Sequence, residues 1–227
     1  MHIGILGTGA LAAALGGRWS LAGHDITIAG RSPAKVHDLA ARLSARPSTI
    51  REVVRDADAV LLAIAWDGVA DVLREAGHWA GTVLIDPTNA VEHGIGVLRT
   101  PPGESGAQRI AALAPGAQVI KAFHLFPAEQ WSDPTDESAT VVICGDDARA
   151  LDITATLIRD AGAEPAVLGG LDRARQLEEV AGFTIGLAFT GTAPRAALPH
   201  LPITRFSSSA NSPERFPRNH STNPTHP

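Results

Sequence analysis

The first thirty-five residues, MHIGILGTGALAAALGGRWSLAGHDITIAGRSPAK, constrain the chain most, because they read as strand, glycine turn, helix, strand and basic loop in succession. His2 to Leu6 is a short apolar run, broken by Gly7-Thr8-Gly9 before Ala10-Leu11-Ala12 opens an apolar helix. The spacing is G-x-G-x-x-A. Gly7 would allow a tight turn, Gly9 would let a pyrophosphate approach the backbone, and Ala12 takes the place of the third glycine, where helix packs on strand. The free N–H groups and dipole of that helix would then face an anion. Gly23-His24 marks the helix stop, and Asp25 to Ala29 the second strand.

The residues just past the second strand select the nucleotide. An acid about 20 residues past the glycines would accept from the ribose hydroxyls of NAD. This sequence instead has Gly30-Arg31-Ser32-Pro33-Ala34-Lys35. Arg31, Ser32 and Lys35 offer a guanidinium, a hydroxyl and an ammonium to a 2′-phosphate, which favours NADP. The same loop can open the next helix, with Ser32 as N-cap and Pro33 at the first helical position.

The composition, 44% apolar and 19% charged with a net charge of −5, fits a compact protein and carries no basic excess for nucleic acid. No apolar stretch is long enough for a bilayer, and Met1 runs directly into an apolar strand, so a cytoplasmic location is expected. Cys144 is the only cysteine. It sits within Val141-Val142-Ile143-Cys144 and reads as a buried strand residue rather than a nucleophile. Residues 1–193 are expected to form one Rossmann-type domain. Residues 194–227 hold seven of the sixteen prolines and a Ser207-Ser208-Ser209 run, and are expected to be a disordered tail whose His200, His220 and His226 lack metal-ligand spacing.

Between these limits the chain alternates strands and helices. A helix over 32–45 is followed by a short segment at 49–53, a strand at 59–65, a helix at 68–75 and a strand at 82–86. A helix at 105–114, strands at 117–123 and 140–144, a helix at 148–161, a strand near 165–168 and a final helix over 171–189 complete the series. This order predicts an α/β doubly wound fold, a mostly parallel sheet covered by helices on both faces. Ligands of such sheets lie beyond the carboxyl ends of the strands. The loops there contain Ile64, Ala65 and Trp66, then Asn89, then Lys121 to Pro127, then Gly145-Asp146-Asp147, which also suits a helix N-cap. Lys121 could bind an anion or only cover the sheet end. His124 is the candidate acid or base, with a pKa tunable toward neutrality; it could equally position substrate or do neither. Trp66 and Phe126 suit packing, though either could wall a flat ring.

Gly7-Thr8-Gly9, Gly30-Arg31-Ser32, Lys121-Ala122-Phe123-His124, Val142 to Asp147 and Ala174-Arg175-Gln176-Leu177-Glu178, in this order, resemble the NADPH-dependent F420 reductase family over about residues 1–190. The resemblance implies a small Rossmann enzyme, commonly a homodimer, moving hydride between NADP(H) and the deazaflavin coenzyme F420 as co-substrate. It implies that Thr8, Gly9, Ala10 and Leu11 hold the pyrophosphate and that Arg31, Ser32 and Lys35 hold the 2′-phosphate. Ile64, Ala65 and Trp66 would line the nicotinamide side, with His124 and Phe126 toward the deazaflavin. Gly30 stands where the family often has serine, members vary between Asn and His at position 124, and the sequence after Thr192 has no counterpart in the family. Three alternatives share the nucleotide site. They are an NADPH-dependent reductase of another small substrate, a non-catalytic NADP(H)-sensing module, and a metal reductase, which would need a further redox centre.

Overall fold

The structure, a computed structural model, describes residues 1–132 and 139–199. Met1–Pro194 form one compact unit and Arg195–Pro227 a second; of the second, only residues up to 199 are described, including the end of a 3₁₀ turn at Pro194–Ala197. Most of the expected tail, including its three histidines, lies outside the described residues.

The first unit runs β1 (His2–Leu6), α1 (Ala10–Leu21), β2 (Asp25–Ala29), α2 (Pro33–Leu43), β3 (Arg46–Pro47), α3 (Ile50–Asp56), β4 (Ala59–Leu62) and α4 (Val69–Ala76). It continues β5 (Val83–Asp86), α5 (Gly106–Leu113), β6 (Gln118–Lys121), α6 (Glu129–Ser132), β7 (Thr140–Cys144), α7 (Ala148–Asp160), β8 (Glu164–Gly169) and α8 (Ala174–Phe189). The eight strands form one sheet in the order β3-β2-β1-β4-β5-β6-β7-β8. This is the expected Rossmann-like NAD(P)-binding fold. The chain winds outward from β1 in one direction and then restarts at β4 in the other, which opens a crevice between the carboxyl ends of β1 and β4.

Alternation along the strands builds a core on each face. Ile3 and Ile5 of β1 join Trp19, Ile28, Leu61, Ile85, Phe123 and Leu157 on one side, whereas Leu6 joins Val60, Leu62, Leu84, Trp79 and Ile110 on the other. Trp19 anchors α1 by donating its indole N–H to the Leu157 carbonyl at 2.8 Å.

Beyond the added β3 and α6, two expected elements differ from the sequence reading. The segment at 49–53 begins a helix, α3, closed by a reciprocal capping box. Thr49 Oγ1 accepts the Glu52 N–H at 3.3 Å, and Glu52 Oε2 accepts the Thr49 N–H at 3.2 Å. The second difference is direction. β7 is antiparallel to β6, with Lys121 paired to Cys144, whereas every other pairing is parallel. Gly145-Asp146-Asp147 therefore turns back alongside Ile120 of β6 rather than extending beyond the carboxyl ends of the parallel strands. There Asp147 caps α7 by accepting the Ala150 N–H at 2.8 Å, and Asp146 accepts the Leu171 N–H.

Among the described residues no helix is long and apolar enough to cross a membrane. Cys144 is fully buried, and burial pushes its thiol pKa up to about 12, so it stays protonated and unreactive.

Candidate active site

The crevice is shaped first by Gly7. Its φ is +128°, and a Cβ there would lie 2.0 Å from the carbonyl oxygen of Ala63, so only glycine lets the turn after β1 press against the end of β4. Gly9 is different. A Cβ at Gly9 meets nothing within 4 Å, so its bare backbone faces open space at the start of α1. Gly9 gives the helix no side-chain cap, which leaves the first-turn N–H groups of Ala10 and Leu11 available to an anion.

Gly7, Thr8 and Gly9 line a cleft of about 490 Å³, together with Gly30, Arg31, Ser32 and Lys35 from the end of β2 and Ile64 and Ala65 from the end of β4. Arg31 and Lys35 are exposed, and neither forms an ion pair among the described residues. Ser32 stands at the N-cap position of α2 with Pro33 behind it, yet its hydroxyl makes no cap bond, so it too is free for a ligand. A glycine cradle, an uncapped helix end and two unpaired cations in one cleft fit a dinucleotide that carries an extra phosphate.

Trp66 departs from its expected position. It is not part of the cleft lining; its ring packs on the start of α5, where a Cβ on Gly106 would come within 3.2 Å of it. The short 3₁₀ turn at Trp66–Gly68 carries the indole away from the cleft and into the second core.

His124 and Phe126 also lie outside this cleft. They line a second cavity of about 230 Å³, walled by Phe123, Leu125, Val141, Val142, Leu168, Leu177 and Val180 with Gln176, which shares no lining residue with the first. Phe123 aims this loop. Its φ is +61°, a left-handed conformation that is costly for an aromatic residue, and its ring is clamped edge-on between Trp19 and Trp131 at 6.0 and 5.3 Å. Asn89 holds the loop from the other side by donating its side-chain N–H to the His124 carbonyl at 2.7 Å. Its amide thus supports the His124 loop rather than standing free in the cleft.

The expectation of a near-neutral pKa for His124 is not met. Burial, reinforced by the nearby Lys121 charge, lowers it to about 3, so the imidazole is neutral throughout the physiological range. At neutral pH it has no imidazolium proton to give.

Lys121, neither anion ligand nor surface cover, is the largest feature that the sequence reading missed. Its ammonium is wholly buried and donates to Asp86 Oδ2 at 3.0 Å, to Glu178 Oε1 at 3.1 Å and to the Thr88 carbonyl. Asp86 accepts from the Thr88 N–H and hydroxyl, and Glu178 accepts the Gly106 and Ala107 N–H groups at the start of α5. Burial alone would lower the Lys121 pKa; the two carboxylates together outweigh it and raise the pKa above the ordinary lysine value. The cluster ties the ends of β5 and β6, just before the Asn89 and His124 loops, to α8. In the sequence Asp86 and Lys121 each stand as a single charge in an apolar run, Leu84-Ile85-Asp86 and Val119-Ile120-Lys121-Ala122, whereas Glu178 is one of two adjacent acids, Glu178-Glu179, and gives no such signal.

Residues 2–90 match an NADP oxidoreductase family. The family model is described as NADP oxidoreductase coenzyme F420-dependent. Metalloreductase STEAP3 of Rattus norvegicus is 29% identical over 181 residues, covering 78% of this chain and 36% of that protein. The chain thus spans about a third of the length of the curated relatives it matches. Among solved structures, a hypothetical protein from Sinorhizobium meliloti is 28% identical with a TM-score of 0.68, over 75% of this chain and 85% of that one. A proposed F420-dependent NADP reductase from Arthrobacter sp. FB24 is 24% identical with a TM-score of 0.74, over 85% and 96%. This last likeness shows the shared fold.

Proposed function

We propose that the protein is an oxidoreductase that transfers hydride between NADPH and the deazaflavin coenzyme F420. The observation that carries the NADP half is the end of β2. There a basic loop, with Arg31 and Lys35 unpaired, faces the same cleft as the Gly7-Thr8-Gly9 turn. The F420 half is supported by the family that residues 2–90 match and by the Arthrobacter structure.

In this reading Gly9 and the Ala10 and Leu11 N–H groups take the pyrophosphate, Arg31, Ser32 and Lys35 take the 2′-phosphate, and Ile64 and Ala65 wall the nicotinamide side. NADPH bound there supplies a hydride from its nicotinamide ring. The protein contributes orientation, since two rings held at about 3 to 3.5 Å react as if unimolecular. The apolar walls around Ile64 and the His124 cavity exclude water from the transfer. His124 acts as a neutral positioning group. The proposal includes the homodimer implied by the resemblance, which sedimentation would test.

The likeness to STEAP3 supports a second reading, in which NADPH reduces a metal ion. The two readings separate in one cuvette experiment. Loss of deazaflavin absorbance with NADPH, but not with NADH, supports the first. NADPH-dependent reduction of ferric citrate with F420 untouched supports the second.

A further inference from the structure

Trp66 stands clear of the cleft, yet it joins the cleft wall to the loops that follow β5 and β6. Ala65 just before it and Gly68 just after it line the cleft, while its indole turns onto Gly106, the first residue of α5. A methyl at Gly106 would lie 3.2 Å from that ring and 3.3 Å from Glu178 Oε1, so the bare backbone there is what lets ring and carboxylate close on one point.

From Gly106 the contacts run on without a gap. Glu178 accepts the Gly106 and Ala107 N–H groups at 2.8 and 3.0 Å and the Lys121 ammonium at 3.1 Å, and Lys121 donates in turn to Asp86 and to the Thr88 carbonyl. Asn89, next in the chain, donates to the His124 carbonyl at 2.7 Å, and the Ala122 N–H donates to the Asp86 carbonyl at 3.1 Å. The Asp86, Lys121 and Glu178 side chains have no exposed surface. A charge that lost one partner there would find no water to replace it, so these bonds open together or not at all.

We infer that Trp66 and Glu178 are positioning residues that make the nucleotide cleft and the 86–89 and 121–126 loops one cooperative unit, so that NADPH in the cleft holds both loops in place. Neither residue lines the cleft. The inference rests on the nucleotide half of the proposed function and not on F420. A ligand that binds only the intact unit suppresses its opening by a factor of about [L]/Kd, which is about a hundredfold at 100 times Kd. The loops are then set by the nucleotide rather than by the acceptor.

The test is amide hydrogen exchange of the full chain, followed by mass spectrometry without NADPH and with NADPH at 100 times Kd. In the parent, NADPH should slow exchange by about tenfold or more at 86–89 and 121–126 as well as at the cleft segment 7–12. Trp66→Leu, at 100 times its own Kd, should keep the slowing at 7–12 and reduce it to less than about twofold at both loops. Glu178→Gln, which keeps the shape of the side chain and removes its charge, should lower the slowing at the loops by about threefold or more. A packing loss alone would speed exchange with and without NADPH alike and leave the ratio unchanged. Slowing at the loops that survives undiminished in either variant, or slowing confined to the cleft in the parent, overturns the inference and leaves the nucleotide reading intact. No slowing at 7–12 in the parent rejects the nucleotide reading and the inference with it.

Discussion

Replacing Lys121 by methionine probes the least surface-like part of the molecule. Methionine keeps the length and apolar stem of the side chain and removes the ammonium. Asp86 and Glu178 are then left facing each other at zero exposure without a cation. Breaking a buried ion pair by removing one partner costs about 3 to 5 kcal/mol. Here the lower end applies. Asp86 keeps its two bonds from Thr88, and Glu178 keeps the N–H groups of Gly106 and Ala107 at a helix start. At ~2 to 4 °C per kcal/mol for a domain of this size, a loss of about 3 kcal/mol lowers Tm by ~6 to 12 °C. Urea and thermal unfolding followed by circular dichroism would measure it. Adding Glu178→Gln to Lys121→Met should recover part of the loss, because one uncompensated charge is gone. The pH dependence has a definite sign. A lysine held above its ordinary 10.5 stabilises the fold fully below that pH and loses the contribution as pH rises through the higher folded value. A Lys121→Met protein whose Tm lies within about 2 °C of the parent, or a double variant with strictly additive losses, would refute this reasoning.

The site makes three further predictions. Gly9→Ala should leave the melting temperature unchanged, because its Cβ meets nothing in the fold, yet weaken NADPH by about tenfold or more; calorimetry would register both. Arg31→Ala should weaken NADPH by about ten- to a hundredfold and leave NADH nearly unaffected, and equal losses would remove Arg31 from the 2′-phosphate. Below pH 6.5 the unfolded chain protonates His124 while the fold, with its value near 3, does not, so stability falls with acid. Between pH 7 and 5 the parent should lose about 2 kcal/mol more than His124→Asn in urea titrations.

The local steps of the fold were legible. Short apolar runs and punctuating glycines located β1, α1 and β2, and the Thr49-to-Glu52 spacing contained the signature of α3, although only as a four-residue pattern. Strand direction was not legible. β7 joins β6 through the single pairing of Lys121 with Cys144, and the apolar run Thr140–Cys144 reads alike in either direction. That reversal turned Gly145-Asp146-Asp147 back along β6. Gly7 to Gly9 and Arg31 to Lys35, each a run of neighbours in the sequence, line one cleft in the structure. Trp66 was misplaced because its partner, Gly106, lies forty residues on. The Asp86-Lys121-Glu178 cluster joins three segments that no sequence period connects, and Glu178, one of two adjacent acids, reads like an ordinary surface charge.

Isotope labelling tests the proposed reaction at the transferred atom itself. NADPH carrying deuterium at nicotinamide C4, prepared as each stereoisomer, would be incubated with oxidised F420 and the protein, and the reduced deazaflavin analysed by mass spectrometry. Direct hydride transfer predicts that one of the two isomers delivers its deuterium to F420. Unlabelled reduced F420 from both isomers, or F420 left oxidised beside tightly bound NADPH, would contradict it.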